Sequence, residues 1–560
     1  MIANPAMRSA YFHLATAIAA AGLPLRAQNV PGYSLTVSPA SVPAGGAVTV
    51  SWTAPAGASA KDWIAAYQDA DTGAAYKTWR YTGGATNGEW KTTAWGGAGS
   101  TFRFRYLKDD GYERMATSSS VASQAIVPQC LETGKTASKI KNVVIIVQEN
   151  KSFDAYFGNY CLAEPGSNPA CTKGPACCEK APMTVQGTAR TLLNDAECVG
   201  HDPNHSEACI LAEMNGGLMD RFISGASCGS SPRNFAVADK ATVGGYWDLA
   251  GRYALADRYF HPAAGASSMN DMYLARAAYV FTDNTVAPKA IGNECSTSPK
   301  KSYDEPTIGH LLTACKVGWA WYMEGYDVKK VDKDSTHCWP AYYDPSDNPM
   351  QYYPDFTDKP AYNRDFKAFA GDLRAGSLPP VTFIKARGVW SEHGGSPISV
   401  GVAFVKGIVD SVLAAPLYKA NTLILLTYDE SGGYYDHIKP PGVSGVDGKA
   451  YGPRLPTLAI GPFARVNTVS HVQMEHASIV RFLEWNWLGG TQGQLHTRDA
   501  IANNIGSLLD SAATGVKVPE DNVATGIVGS AKGPKAKPQG NGLKPMEKWL
   551  GKKAKAPEKS

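Results

Sequence analysis

The stretch Lys141-Asn-Val-Val-Ile-Ile-Val-Gln-Glu149-Asn150-Lys-Ser-Phe-Asp-Ala-Tyr-Phe-Gly158 decides how this chain folds. The unbroken β-branched run at 143–147 predicts a strand buried on both faces, as in the interior of a parallel sheet. A carboxylate and an amide, Glu149 and Asn150, stand where that strand ends. Open α/β sheets bind ligands beyond the carboxyl ends of their strands, so the placement suits chemistry. The pattern recurs at 422–428, an apolar run followed by Asp429-Glu430 and then Ser-Gly-Gly-Tyr-Tyr-Asp436-His437. Two buried strands that both end in acids predict one site where those acids meet.

Outward from these strands, the chain past residue 138 alternates strand-like and helix-like patterns. Apolar residues fall at helical spacing over 245–259 (Trp247, Ala250, Tyr253, Ala254) and over 400–415, and residues 269–278 read as a further helix. The alternation predicts an α/β domain with a mainly parallel sheet. Residues 30–127 have another style. Tyr33-Ser-Leu-Thr-Val, Ala47-Val-Thr-Val-Ser-Trp-Thr and Thr101-Phe-Arg-Phe-Arg-Tyr alternate polar with apolar residues, and Pro43-Ala-Gly-Gly and Thr82-Gly-Gly supply turns. This predicts an immunoglobulin-like β-sandwich, with residues 118–123 as the linker behind it. Trp79, Trp90 and Trp95 either pack that sandwich or offer a carbohydrate-binding or surface-binding face.

Composition narrows the classes. Hydrophobic residues make up 44% of the 560 and aromatics 10%, values of a globular chain. The formal charge of +4 is set by the end of the chain, where residues 531–560 hold nine lysines against two glutamates. That leaves about −3 elsewhere, which disfavours a basic nucleic-acid-binding body. The Lys/Pro/Gly-rich tail is expected to be disordered and able to touch anionic surfaces. Arg8 followed by an alanine-rich apolar stretch reads as a signal peptide over residues 1–28, with Ala27 as a plausible cleavage residue, so the protein is expected to be secreted or periplasmic. No later run is long enough for a transmembrane segment. Seven of the eleven cysteines fall between Cys161 and Cys228, which predicts a loop insertion held by disulfides; zinc spacing is absent.

Glu149-Asn-Lys-Ser-Phe-Asp-x-Tyr-Phe-Gly resembles the opening motif of the bacterial phosphoesterase family that holds the non-haemolytic phospholipases C and an acid phosphatase group. Further matches follow in order: His201-Asp202-Pro203-x-His205, Asn215-Gly216-Gly217-x-Met219-Asp220, and Leu255-Ala256-Asp257-Arg258-Tyr259-Phe260. Ser391-Glu392-His393, Tyr428-Asp429-Glu430 with Asp436-His437, and Gly452-Pro453-Arg454-x-Pro456 complete the series. The resemblance implies an alkaline-phosphatase-like fold for residues 138–515.

The same resemblance assigns roles. Ser267 and Ser268 open the helix-like segment after Phe260, where a plain N-cap would also account for a serine. The family's nucleophile segment, Gly-x-[Ser/Thr]-x-Pro-Asn, falls on Gly265-Ala-Ser267-Ser-Met-Asn270 and points to Ser267, with Met269 in place of the proline and Ser268 as the alternative. A serine hydroxyl needs help to ionise, and a bound cation provides it. The family's metal site matches Glu149, Asn150, Asp429 and Glu430 together with Ser267, an oxygen set for one divalent ion such as Mg²⁺, Ca²⁺ or Mn²⁺. Asn150, His201 and His205 are expected to bind phosphoryl oxygens, and His393 or His437 to protonate the leaving oxygen, with Asp436 orienting His437. His476 is expected to support the site from behind.

Two other signatures lead nowhere. Gly225-Ala-Ser227-Cys-Gly229 fits a nucleophile elbow but lacks a preceding strand, and Asp429-Glu-Ser431-Gly-Gly433 lacks the histidine context of a serine protease. The reading is therefore a secreted, metal-dependent phosphoesterase acting through a phosphoserine on phosphate esters, phospholipid head groups among them. The competing class is a non-catalytic surface or carbohydrate-binding protein that uses the sandwich.

Overall fold

The computed structural model describes residues 29–69, 76–93, 96–281, 290–292, 301–327, 343–386, 388–520 and 527–528. The expected signal segment 1–28, Trp95, Cys295, Cys338 and the basic tail 531–560 lie outside the described residues.

The centre is an eight-stranded sheet. In chain order its strands are β1 (Asn142–Gln148), β2 (Ala254–Ala256), β3 (Trp319–Met323), β4 (Asn363–Asp365), β5 (Val381–Lys385), β6 (Thr422–Tyr428), β7 (Thr457–Ile460) and β8 (Thr468–Ser470). They lie in the order β4-β3-β5-β1-β6-β7-β2-β8. Only β7 runs antiparallel to its neighbours. The sheet is mainly parallel, as expected. β1 and β6 sit side by side at its middle, in register from Asn142↔Thr422 to Gln148↔Tyr428, and every residue of β6 is buried. A strand covered on both faces has no solvent side to mark with polar residues, which is why both read as apolar runs.

Five helices matter for the site: α1 (Phe153–Phe157), α2 (Lys240–Arg252), α3 (Ser267–Arg276), α4 (Ile398–Ala414) and α5 (His476–Trp487). α2 packs against α4 and α3 against α5. The helix expected over 245–259 starts earlier and stops at Arg252. Asp239 caps it by accepting from Thr242 N at 3.0 Å, and Ala254-Leu-Ala turns into β2. Three apolar residues are too few to display a period, and pairing with β7 and β8 decides their state.

Ahead of this sheet, nine short strands form two smaller ones. Ser34–Ser38, Ala47–Thr53 and Asn87–Thr93 make a three-stranded antiparallel sheet. Ser41–Pro43, Val121–Gln124, Thr101–Leu107, Trp63–Gln68, Thr78–Tyr81 and Arg114–Thr117 make a six-stranded one. Alternate residues Val48, Val50 and Trp52 are buried, as are Phe102, Phe104 and Tyr106, an arrangement consistent with a β-sandwich. Trp90 is core: it is 7% exposed and packs edge-on against Phe104, while Trp79 lies edge-on to Trp63 and Tyr81. The linker expected at 118–123 is instead partly strand. Val121 and Ser123 are buried, and Val121–Gln124 pairs with Thr101–Leu107. Its small residues imitate a linker in composition, yet they keep the period of two.

Disulfides Cys161–Cys178, Cys171–Cys177 and Cys209–Cys228 staple the irregular insertion, and Cys130–Cys315 joins the segment behind the small sheets to the main body. Among the described cysteines, Cys198 is buried and free. No described helix is long and apolar enough to cross a membrane.

Candidate active site

The pairing of β1 with β6 delivers Glu149 and Asp429 to one point. Asp429 N donates to Gln148 O at 3.0 Å, and Asn150 N donates to Asp429 Oδ1 at 3.2 Å. Asn150 takes a left-handed φ of 59°, a conformation asparagine tolerates, and so turns its side chain toward the acids. The turn after β6 is as tight. Glu430 N donates to Asp429 Oδ1 at 2.7 Å and Gly432 N to Glu430 Oε2 at 2.8 Å. A Cβ on Gly432 would overlap the Asn150 backbone carbonyl, so only glycine lets the two strand ends close on each other.

Glu149, Asn150, Asp429 and Glu430 are all buried. One end of the Asn150 amide lies 2.8 Å from Glu430 Oε1 and 3.3 Å from Asp429 Oδ1, and the other end 2.8 Å from His393 Nε2. With nitrogen at the first end, the amide donates to both acids and accepts from His393. With oxygen there, it adds a third oxygen ligand beside two carboxylates, an arrangement that fits a hard divalent cation. Ser267 is the first residue of α3, and its Oγ donates to Asn150 Oδ1 at 3.4 Å. The next hydroxyl points elsewhere: Ser268 Oγ donates to Asp347 Oδ1 at 3.5 Å. Asn150 thus touches Asp429, Glu430 and Ser267, and Glu149 precedes it at the end of β1.

His205 and His393 join them. Each ring places Nδ1 at a backbone carbonyl, Pro203 O for His205 and Gly394 O for His393, both at 2.8 Å. That bond fixes the ring and leaves Nε2 facing Asn150. The two rings meet edge to face at 5.6 Å. Burial opposes a charge on His205, but Glu430 and Asp202 outweigh it and hold its pKa at about 9. Burial and the neighbouring Asp429 raise that of Glu430 to about 8 despite His205.

The other histidines sit apart from Ser267. His201 shares a hydrogen bond with Asn234 Oδ1 at 2.9 Å, inside the insertion. His437 is held at Nδ1 by Asp154 at 2.8 Å and at Nε2 by Glu179 at 3.1 Å. The adjacent Asp436 does not orient it; that carboxylate accepts from Arg454 Nε at 2.9 Å. Successive residues in a turn diverge, so adjacency in sequence misleads here. His476 lies behind the site, with Nε2 on Asp429 O at 2.8 Å and Nδ1 on Tyr259 OH at 2.9 Å.

Three further groups were given no role by the sequence. Lys385 ends β5, and its fully buried ammonium reaches Glu149 Oε1 at 2.8 Å, Asp429 Oδ2 at 3.0 Å and Asp271 Oδ2 at 3.1 Å. Asp271 comes from α3, one turn beyond Ser267. Glu392, beside His393, accepts from Gln148 Nε2 at 3.0 Å, Tyr156 OH at 2.6 Å and Tyr428 OH at 2.8 Å, and from the Tyr246 hydroxyl. A lone lysine at a strand end and a glutamate in a loop match no periodicity. Glu392 falls inside the Ser391-Glu392-His393 motif, which marks its position but not its partners.

Residues 140–488 match the Phosphoesterase family. Among curated proteins, the chain is similar to a non-hemolytic phospholipase C of Burkholderia pseudomallei, 24% identical over 409 residues, covering 64% of this chain and 56% of the relative. It is similar to phospholipase C B of Mycobacterium tuberculosis, 24% identical over 424 residues (67% of this chain, 78% of the relative). It also resembles the non-specific phospholipase C6 of Arabidopsis thaliana, 25% identical over 381 residues (61% and 67%). The matched stretch spans little more than half of the Burkholderia protein.

Proposed function

The chain belongs to the phosphoesterase family, hydrolases of phosphoric ester bonds, and from that premise we propose that it is a phospholipase C-type hydrolase cleaving phospholipid head groups through a phosphoserine on Ser267. The observation that carries this reading is the gathering of Ser267 Oγ, the Asn150 amide and three buried carboxylates at the ends of β1 and β6. We read residues 138–515 as an alkaline-phosphatase-like catalytic domain and 30–127 as an immunoglobulin-like sandwich, supported by the mainly parallel sheet and the two smaller ones. The disulfides fit a protein that works outside the cytoplasm.

Glu149, Asn150, Asp429, Glu430 and Ser267 would hold one divalent ion. Such an ion lowers the pKa of a serine hydroxyl and offsets charge on phosphoryl oxygens. Ser267, at the N-terminus of α3, attacks phosphorus in line, and the bond to the alcohol breaks as the Ser267–phosphorus bond forms. The N–H groups opening α3 and the Nε2 atoms of His205 and His393 face the phosphoryl oxygens and steady their charge. His393 protonates the departing alkoxide, then takes a proton from the water that releases the phosphorylated head group. In this scheme His437, with both nitrogens engaged, is a structural cation that ties Asp154 of α1 to Glu179.

The test compares phosphatidylcholine vesicles with p-nitrophenyl phosphate as substrates for the wild type, Ser267→Ala and Ser268→Ala. Expected are turnover of the phosphodiester and a loss of at least ~10³ in kcat for Ser267→Ala, from which Ser268→Ala is spared. Full activity in Ser267→Ala would remove the nucleophile. Turnover of the monoester alone would make the enzyme an acid phosphatase.

A further inference from the structure

β5 lies on the opposite side of β1 from β6, and it ends in Lys385, level with Val147. The Lys385 ammonium is fully buried and lies within ion-pair distance of three carboxylates, Glu149 (2.8 Å), Asp429 (3.0 Å) and Asp271 (3.1 Å), with a hydrogen bond to Asp429 Oδ2. Two of these three acids also belong to the proposed metal set. Asp429 divides its oxygens: Oδ2 meets Lys385, while Oδ1 lies 3.3 Å from the Asn150 amide. Carboxylates shared in this way between two adjacent positive centres are how two-metal phosphoesterases are built, with ions about 3.5–4 Å apart. Here one of the two centres is a side chain. Asp271 and Asp347 add buried acids on the Lys385 side, beyond those the single ion would use.

We propose that Lys385 is a resident cation: its ammonium fills the position that a second divalent ion would take, and so limits the centre to one metal per chain. The inference rests on the reading that Glu149, Asn150, Asp429 and Glu430 bind an ion. It makes Lys385 a positioning residue. The ammonium holds Glu149 and Asp429 apart from each other's charge and sets the direction in which each offers its second oxygen.

Metal content tests this independently of turnover. The full chain is equilibrated with Mn²⁺, freed of excess and analysed for manganese, and its electron paramagnetic resonance spectrum is recorded. The wild type is expected to hold one ion per chain with an uncoupled spectrum. Lys385→Ser, which leaves room and an oxygen, is expected to hold two with spin coupling. Lys385→Ser combined with Asp271→Ser removes a ligand of the new position and is expected to return to one. Lys385→Ser is also expected to melt early without metal and to regain stability with Mn²⁺. A wild type with two ions, or a folded Lys385→Ser with one, overturns the proposal. So does a Lys385→Ser protein that stays unfolded in saturating Mn²⁺, because a second ion would replace the missing charge. A wild type with no ion removes the metal reading itself, and this inference with it.

Discussion

Glu392 touches no proposed ligand atom, yet it ties the site together. Two of its four donors, Gln148 and Tyr428, immediately precede Glu149 and Asp429, and His393 follows it in the chain. Its φ of 68° is unusual for a glutamate, and Gly401 leaves no room behind it, since a Cβ there would overlap the carboxylate. Replacing it with glutamine turns an amide N–H₂ toward hydroxyls that are already donating. Glu392→Gln is expected to lower kcat by roughly 10–100-fold, the usual effect of losing a group that orients a catalytic one, and to cost about 1–3 kcal/mol in stability. Steady-state kinetics with a urea titration checks both; an unchanged kcat would mean that His393 is held by its own backbone bond alone. At this scale the sequence is legible where residue type and place coincide. Glu149 and Asp429 follow apolar runs and announce themselves. Lys385 ends a strand in the same way, but a single lysine at a strand end is usually solvated, and only the sheet order reveals the three acids around it.

α1 is a five-residue element, too short to be stable by itself, and it is held by the burial of Phe153, Tyr156 and Phe157 together with ion pairs. Ser152 caps it by accepting from Ala155 N at 3.2 Å. Asp154, in its first turn, binds Arg454 at 2.9 Å and His437 at 2.8 Å. Burial works against the His437 charge, but Asp154 and Glu179 outweigh it and raise its pKa to about 9. Burial likewise works against Glu179, whose pKa His437 and the N–H groups of Gly166 and Asn168 bring down to about 2. The His437 contribution is therefore complete below its unfolded pKa of about 6.5 and is lost as pH rises through 9. The Glu179 contribution is complete above about 4.5 and is lost as pH falls through 2. His437→Asn is expected to destabilise by about 3 kcal/mol near pH 5.5, with the gap to the wild type closing toward pH 10. Denaturant titrations across that range decide it, and a gap independent of pH would mean a neutral His437. The irregular segment bearing Glu179 shows why this partner is illegible. Its meeting with His437 is set by the disulfide-stapled insertion, and no local pattern encodes it. The long elements α4, β1 and β6 were legible because each buries a whole stripe or both faces, whereas three-residue β2 was not.

At the scale of the whole molecule, one glycine reports how firmly the small sheets sit on the main body. Gly45 (φ 78°) lies directly on the guanidinium of Arg276, the last residue of α3, and a Cβ there would overlap it. Arg276 is buried, and its guanidinium nitrogens make no hydrogen bond among the described residues, so its head has little freedom to swing into water. Gly57 has nearly the same backbone (φ 85°), but a Cβ there meets nothing within 4 Å. Alanine at either position pays the same left-handed strain, about 1 kcal/mol. Only Gly45→Ala must also displace a buried charged side chain. If the small sheets are seated on the main body in solution, Gly45→Ala is expected to destabilise by about 2 kcal/mol more than Gly57→Ala. Because Ser267 opens the helix that Arg276 closes, Gly45→Ala is also expected to lower kcat while Gly57→Ala leaves it alone. Equal losses in the two variants would show that the sandwich moves independently of the body and that α3 is anchored by its packing on α5 alone.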